Sequence, residues 1–221
     1  MKCFKIDERM EQVQIKDFKN CSFQYVLLLT SEEWAQKKDQ LDIGIDLEVE
    51  TESIWNTRAE VNYDSLTGEF YIPDRNNLSN TGFRFAFALD EKGIVFIDDS
   101  ENAFKLVNEV AVRRKLINPC LERFLYDFLE LIINRDQLLL EGYDHDLDEI
   151  EKKILEGDTD DILSSISKIR SDLRDLKTHY TQLLDLCQEF EENENGFFSE
   201  DNERYFHLVC QRVETLYDIA S

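Results

Sequence analysis

Breakers of regular structure are scarce, with 7 Gly and 2 Pro in 221 residues. That leaves little for a Gly-rich phosphate cradle, and no G-x-G-x-x-G, Walker A, G-x-S-x-G or kinase signature occurs. No run approaches the ~18 apolar residues that cross a bilayer, and no basic-then-apolar leader opens the chain. CxxC pairs are missing. The cysteines, Cys3, Cys21, Cys120, Cys187 and Cys210, are odd in number and widely spread, which points to a reducing compartment without a structural disulfide. His145, His179 and His207 show no metal-ligand spacing and read as surface or satisfied residues. A nucleophile with a base at readable spacing is also lacking, so the chain reads as no enzyme. Basic residues are the last shortage: 25 against 48 acids, a formal net charge of −23. Such a surface repels nucleic acid and anionic lipid and attracts metal cations or basic protein patches.

What is abundant is helical periodicity. Ile162, Ile166, Ile169, Leu173, Leu176, Tyr180, Leu183, Cys187 and Phe190 follow steps of four and three without a break. This is a heptad seam on one side of a long helix, with Lys168, Arg170, Asp172, Arg174, Asp175 and Lys177 on the other faces. A helix so long and polar needs comparable partners. One precedes it. From Pro119, which fits a first helical turn, a stripe runs through Leu121, Leu125, Phe128, Ile132, Leu139, Tyr143, Leu147, Ile150 and Ile154 to a left-handed stop at Gly157. A rod from Pro119 to Glu156 spans roughly 57 Å at ~1.5 Å per residue. Gly142, inside it, marks a bend. Asp158 and Thr159 are candidate caps for the next rod, and so short a connection folds the two rods back antiparallel. Asn195-Gly196 ends the second rod. Ser199 then caps a third, with Glu200, Asp201 and Glu203 in its positive first turn. Phe206, Cys210, Val213, Tyr217 and Ala220 keep the spacing to the last residue without a stop signal, which leads us to expect a chain cut in mid-helix.

The first half reads as mixed strands and helices. Met1 to Ile6 and Ser22 to Leu29 are strands, and Thr30-Ser31-Glu32-Glu33 caps a helix from Trp34 to Leu41. Ile43, Ile45, Leu47 and Val49 alternate as in a strand, although Leu47 to Trp55 also tolerates a helix. Arg58 to Tyr63 and Glu69 to Ile72 are strands joined by a turn at Leu66-Thr67-Gly68. Phe83 to Leu89 and Gly93 to Ile97 form a hairpin, with Phe83, Phe85, Phe87 and Leu89 on one face as core. Asp98-Asp99-Ser100 caps a helix from Glu101 to about Lys115, with Phe104, Val107 and Val110 to Val112 inward. The expected architecture is α/β, a mixed αβα sandwich over residues 1–117, followed over 118–221 by a long-helix bundle: an antiparallel hairpin (119–193) and a third, stalk-like helix (199–221).

The densest charge cluster, at the hairpin tip, holds Glu141, Asp144, Asp146, Asp148, Glu149, Glu151, Glu156, Asp158, Asp160 and Asp161. Mg²⁺ keeps its waters and needs only one or two carboxylates, so weak hydrated binding suits this cluster; a plain solvated helix end has the same composition. No EF-hand spacing is present.

Three stretches together resemble the cytoplasmic part of the CorA family of Mg²⁺ channels. They are RAEVNYD (Arg58 to Asp64), LYDFLELIINRDQLLLEGYDHDLDEIEKKIL (Leu125 to Leu155) and, most specifically, NENGFFSEDNERYFHLVCQRVETLYDIAS (Asn193 to Ser221). The last is similar to the start of that family's stalk helix, which continues into the membrane; the Gly-Met-Asn pore signature is absent from this chain. The resemblance implies a homopentameric divalent-cation channel whose full-length form lies in the cell membrane with this part on the cytoplasmic face. It implies Mg²⁺ as the ion, with Co²⁺ or Ni²⁺ as alternatives, held between neighbouring cytoplasmic domains to keep the pore shut. Asp201 matches the family's acidic ligand near the start of the stalk. Glu50 and Glu52 stand where the family carries a Glu-Asp dipeptide as the second ligand. The competing expectation is a soluble acidic helical-hairpin adaptor that binds a basic protein partner through its tip.

Overall fold

The central strands are apolar at nearly every position, so both faces of their sheet require a cover. The computed structural model describes residues 1–221 apart from 16, 19, 42, 45, 46, 114, 115 and 158–160. Its strands are β1 (Lys2–Lys5), β2 (Glu11–Gln12), β3 (Tyr25–Leu29), β4 (Arg58–Val61), β5 (Leu66–Ile72), β6 (Phe83–Asp90) and β7 (Gly93–Ile97). They form a seven-stranded sheet in the order β2-β1-β3-β7-β6-β5-β4. The β3–β7 pair is parallel and the other pairs are antiparallel. The helices are α1 (Ser31–Leu41), α2 (Asn102–Arg113), α3 (Leu121–Ile133), α4 (Asp136–Glu156), α5 (Ile162–Glu192) and α6 (Arg204–Ile219).

Alternation along the strands sorts the side chains into two cores. Tyr25, Leu27, Leu29, Ala86, Ala88, Val95 and Ile97 meet Trp34 and Leu41 of α1 on one face. Val26, Leu28, Phe85, Phe87, Ile94 and Phe96 face the other way and join residues of α2, α3, α5 and α6, among them Val107, Phe128, Phe190 and Phe206. The αβα sandwich is therefore as expected. The larger core is continuous with the helical bundle: Phe128 stacks on Phe96 at 4.9 Å, and Phe190 meets Phe87 edge-on at 6.3 Å. Emptying such an aromatic site costs about 3–5 kcal/mol.

Local signals hold where they act alone. Thr30 Oγ1 accepts the Glu33 N–H at 3.2 Å while Glu33 Oε2 accepts the Thr30 N–H at 3.1 Å, closing a capping box on α1. Asp90 Oδ1 accepts the N–H groups of Lys92 and Gly93, at 2.8 and 3.1 Å, and so fixes the β6–β7 turn. Gly157 stops α4 at φ 82°, donating its N–H to Ile154. The proposed caps Asp158 and Thr159 lie outside the described residues, as does Lys115 at the end of the second helix.

Several expectations are corrected. Of the 43–49 strand, Ile45 is outside the described residues, and 47–50 form no strand; a single 3₁₀ turn follows at Thr51–Ser53. Leu66-Thr67-Gly68 are inside β5, and the turn is at 62–65, closed by the Asn62 N–H on Ser65 O at 2.8 Å. Gly68 is there because a Cβ would sit 2.2 Å from Arg58 O and 2.6 Å from the Phe87 ring. Val112 is 76% exposed, being off the stripe that carries Ala103, Val107 and Val110 inward. Phe83 is also exposed, while Phe85, Phe87 and Leu89 are core.

The first rod is two helices. Pro119 precedes the cap residue Cys120, and the bend expected at Gly142 lies instead at Asn134 and Arg135, the latter with φ −114° and ψ 3°. Arg75 causes it. Its guanidinium donates to both carboxylate oxygens of the buried Asp136, at 2.8 and 2.7 Å, and to the Ile132 carbonyl at 3.4 Å. One cation thus caps the end of α3 and neutralises an acid in the first turn of α4.

Beyond the bend α4 and α5 run antiparallel, pinned where Tyr143 donates to Asp172 at 3.1 Å. The seam of α5 is buried from Leu176 to Phe190, where α3, α6 and the sheet lie on it. Toward the tip only one neighbour remains, so Leu147 and Ile154, expected inward, are exposed with Leu155 and Leu163.

Candidate functional site

The head of α6 is built where the end of α5 and the start of α3 meet. α5 ends on Asn193 at φ 48°, and that side chain receives the Phe198 N–H at 3.0 Å and donates to the Phe198 carbonyl at 2.9 Å. Phe198 is thereby seated against Phe206 and Phe190, with ring centroids at 4.7 and 5.9 Å. The helix end therefore comes earlier than the expected Asn195-Gly196, because the Asn193 side chain supplies the turn. A 3₁₀ turn, Glu200–Asn202, follows and leads into α6. Ser199 makes no side-chain cap. Its backbone N–H instead goes to Glu122 Oε1 at 2.8 Å, so Glu200 and Asp201 occupy the 3₁₀ turn and not the first turn of the α-helix.

Asp201 is exposed on this turn and has no hydrogen bond or ion pair among the described residues. Glu50 and Glu52 are also exposed, Glu50 just before the 51–53 turn and Glu52 within it. Glu50 accepts from the Ser53 hydroxyl at 3.1 Å, and the Glu52 carbonyl is held by Arg84 at 2.7 Å. Arg84 in turn stacks over the Trp55 ring at 3.8 Å. Among the described residues, no three His, Cys, Asp or Glu side chains converge on a point that could hold a metal. The oxygen donors of Asp201, Glu50 and Glu52 suit a hard cation such as Mg²⁺, which retains waters and asks for few carboxylates.

At the hairpin tip Asp144, Asp146, Asp148, Glu149 and Glu151 are all exposed. Lys152 pairs with Glu149 at 2.6 Å and holds its carboxyl below the usual range. His145 and His207 are exposed, and His207 meets Glu191 at 3.1 Å. His179 departs from expectation. It is buried beside β5, and neither ring nitrogen has a close hydrogen-bond partner among the described residues. Burial first, then the Arg75 charge, push its pKa well below the normal value, against a weak contribution from the Tyr71 backbone. It is held neutral under a cleft of about 270 Å³ lined by Trp55, Tyr71 and Gln182. Sequence reading missed Arg75 and Glu122, whose partners lie 61 and 77 positions away. An acid in a first helical turn signals dipole complementarity and nothing about a distant loop.

Residues 32–221 match the family model described as CorA-like Mg²⁺ transporter protein. Among solved structures, the soluble domain of CorA from Methanocaldococcus jannaschii superposes with a TM-score of 0.73 at 15% identity, covering 99% of this chain and 90% of that one. The full-length CmaX protein gives 0.72 at 13% identity, covering 100% of this chain and 72% of that one. The ZntB cytoplasmic domain from Vibrio parahaemolyticus RIMD 2210633 gives 0.65 at 8% identity, covering 100% and 93%. No curated protein matches the chain. At these identities the structural likeness establishes the fold.

Proposed function

The chain belongs to the CorA-like Mg²⁺ transporter family, and we propose that it is the cytoplasmic, Mg²⁺-sensing part of a homopentameric divalent-cation channel in the cell membrane. The family is one of transporters, in keeping with a non-enzymatic chain. The observation that carries the sensing role is Asp201, a carboxylate without a partner among the described residues, on a turn fixed from α3 and α5. Glu50 and Glu52, from the turn held by Arg84, supply the facing acids on the neighbouring copy. Two carboxylates about 4 Å apart repel by about 4 kcal/mol at an effective dielectric of about 20. A shared hydrated Mg²⁺ offsets that repulsion and holds the copies together. Loss of the ion at low cytosolic Mg²⁺ restores it and lets the copies separate. Co²⁺ and Ni²⁺ are alternative ions for the same oxygen donors.

Sedimentation during a Mg²⁺ titration through the millimolar range tests this. Mass rises with Mg²⁺ and the rise is weakened in Asp201→Asn. Unchanged mass together with an unchanged proteolysis pattern refutes the sensor. A second reading, an adaptor for a basic protein, is favoured by the tip, where Leu155 and Leu163 are 83% and 84% exposed amid acids. It predicts binding to a basic amphipathic helix without any dependence on Mg²⁺.

A further inference from the structure

We propose that Glu122 is a positioning residue that sets the geometry of Asp201, an inference resting on the sensor reading of that residue. Glu122 lies in the first turn of α3, where the positive end of the helix favours an anion. It is 3% exposed. Its Oε1 accepts two hydrogen bonds from the 3₁₀ turn, one from the Ser199 N–H at 2.8 Å and one from the Asn202 side-chain amide at 3.3 Å. These two donors bracket Asp201. The other oxygen, Oε2, is shielded from water. The Cys120 thiol is pushed up to about 12, by burial first, with the charge of Glu122 and a hydrogen bond to its side chain among the lesser causes, so it remains a neutral neighbour.

A buried carboxylate is an expensive way to fill space, since it gives up its water. What it provides is an acceptor, on a rigid helix, for both ends of a turn whose two acids, Glu200 and Asp201, are exposed. Asn193 and the Phe198 ring hold the chain before the turn, and Glu122 holds the turn itself. Ser199 gives no side-chain cap, and Glu200 and Asp201 are exposed. Glu122 therefore fixes where the free carboxylate points, as an outer partner fixes a metal ligand in a built site.

The test follows the Mg²⁺ midpoint of association for the full chain, with the urea midpoint of each variant measured in parallel. Asp201→Asn raises the Mg²⁺ midpoint. Glu122→Ala raises it about tenfold, and Glu122→Gln, which retains an oxygen acceptor, returns it near the unmodified value. Asn202→Ala, which removes one of the two bonds from a partly exposed position, raises it by a smaller factor without lowering the urea midpoint. If Asp201→Asn has no effect, the sensor reading of Asp201 fails. If Asp201→Asn shifts the midpoint and Asn202→Ala and Glu122→Gln leave it alone while folded Glu122→Ala also leaves it alone, the positioning role fails and the sensor stands. A shift in Glu122→Gln as large as in Glu122→Ala overturns it too, because charge and not acceptor geometry would then be at work. Should Glu122→Ala not fold, an unmoved Mg²⁺ midpoint in Asn202→Ala is the overturning result.

Discussion

The bend between α3 and α4 rests on one ion pair, which makes it a sharp place to test the physics of this fold. Asp136 is fully buried and Arg75 is mostly so, with the guanidinium on both carboxylate oxygens and on the carbonyls of Pro73 and Ile132. Asp136→Ala leaves a cation enclosed with only neutral acceptors. Breaking one side of a buried pair costs about 3–5 kcal/mol. For a chain of this size each kcal/mol moves Tm by about 2–4 °C, so Tm falls by about 6–20 °C. Urea denaturation followed by circular dichroism measures the free energy, and a thermal scan gives the Tm. The double replacement Arg75→Met with Asp136→Leu removes both desolvation penalties and regains at least half of the loss, since buried pairs replaced by apolar residues are often neutral. A loss below about 1 kcal/mol in Asp136→Ala would refute the assignment of the bend to this pair, as would a double variant no more stable than the single one.

His179 makes stability fall with acid. Its folded pKa is depressed, so the unfolded chain takes up a proton first as pH drops below about 6.5, and stability is lost from there toward the folded pKa. Urea midpoints between pH 7.5 and 5 show a slope steeper than that of His179→Gln by up to about 1.4 kcal/mol per pH unit; identical slopes refute the buried neutral imidazole. Gly142 sits in α4 with nothing within 4 Å of an added Cβ, so Gly142→Ala raises stability by about 0.5–1 kcal/mol in the same assay. Gly68→Ala, facing Arg58 O and the Phe87 ring, lowers it by about 1–3 kcal/mol.

Periodic and local features were readable directly from residue order. The seam of α5, the β6–β7 hairpin, the capping box at Thr30 and the stop at Gly157 each depend on neighbours within a few positions, and each is present in the structure. Their causes are short-range: side-chain period, turn chemistry and orphan backbone groups at helix ends. The same logic misled at 43–49, where alternation matched a strand but 47–50 lie outside the sheet and run into the turn at 51–53, and at Leu66-Thr67-Gly68, where a glycine that admits the Arg58 backbone imitated a turn.

Of the acids at the head of α6, Asp201 was singled out by the resemblance to the family's stalk, since by pattern alone an acid there signals only dipole complementarity. How it is held was not legible, because Glu122 reaches the turn from 77 residues away. The residue order by itself set an αβα sandwich, long antiparallel helices, an acidic tip and a carboxylate at the head of the third helix. Tertiary structure decided where the first rod breaks, which histidine is buried neutral, and which buried acid grips the turn bearing Asp201. The physical reason is the same in each case: a charge or polar group withdrawn from water takes whatever partner the folded chain brings near, and sequence separation does not enter that choice.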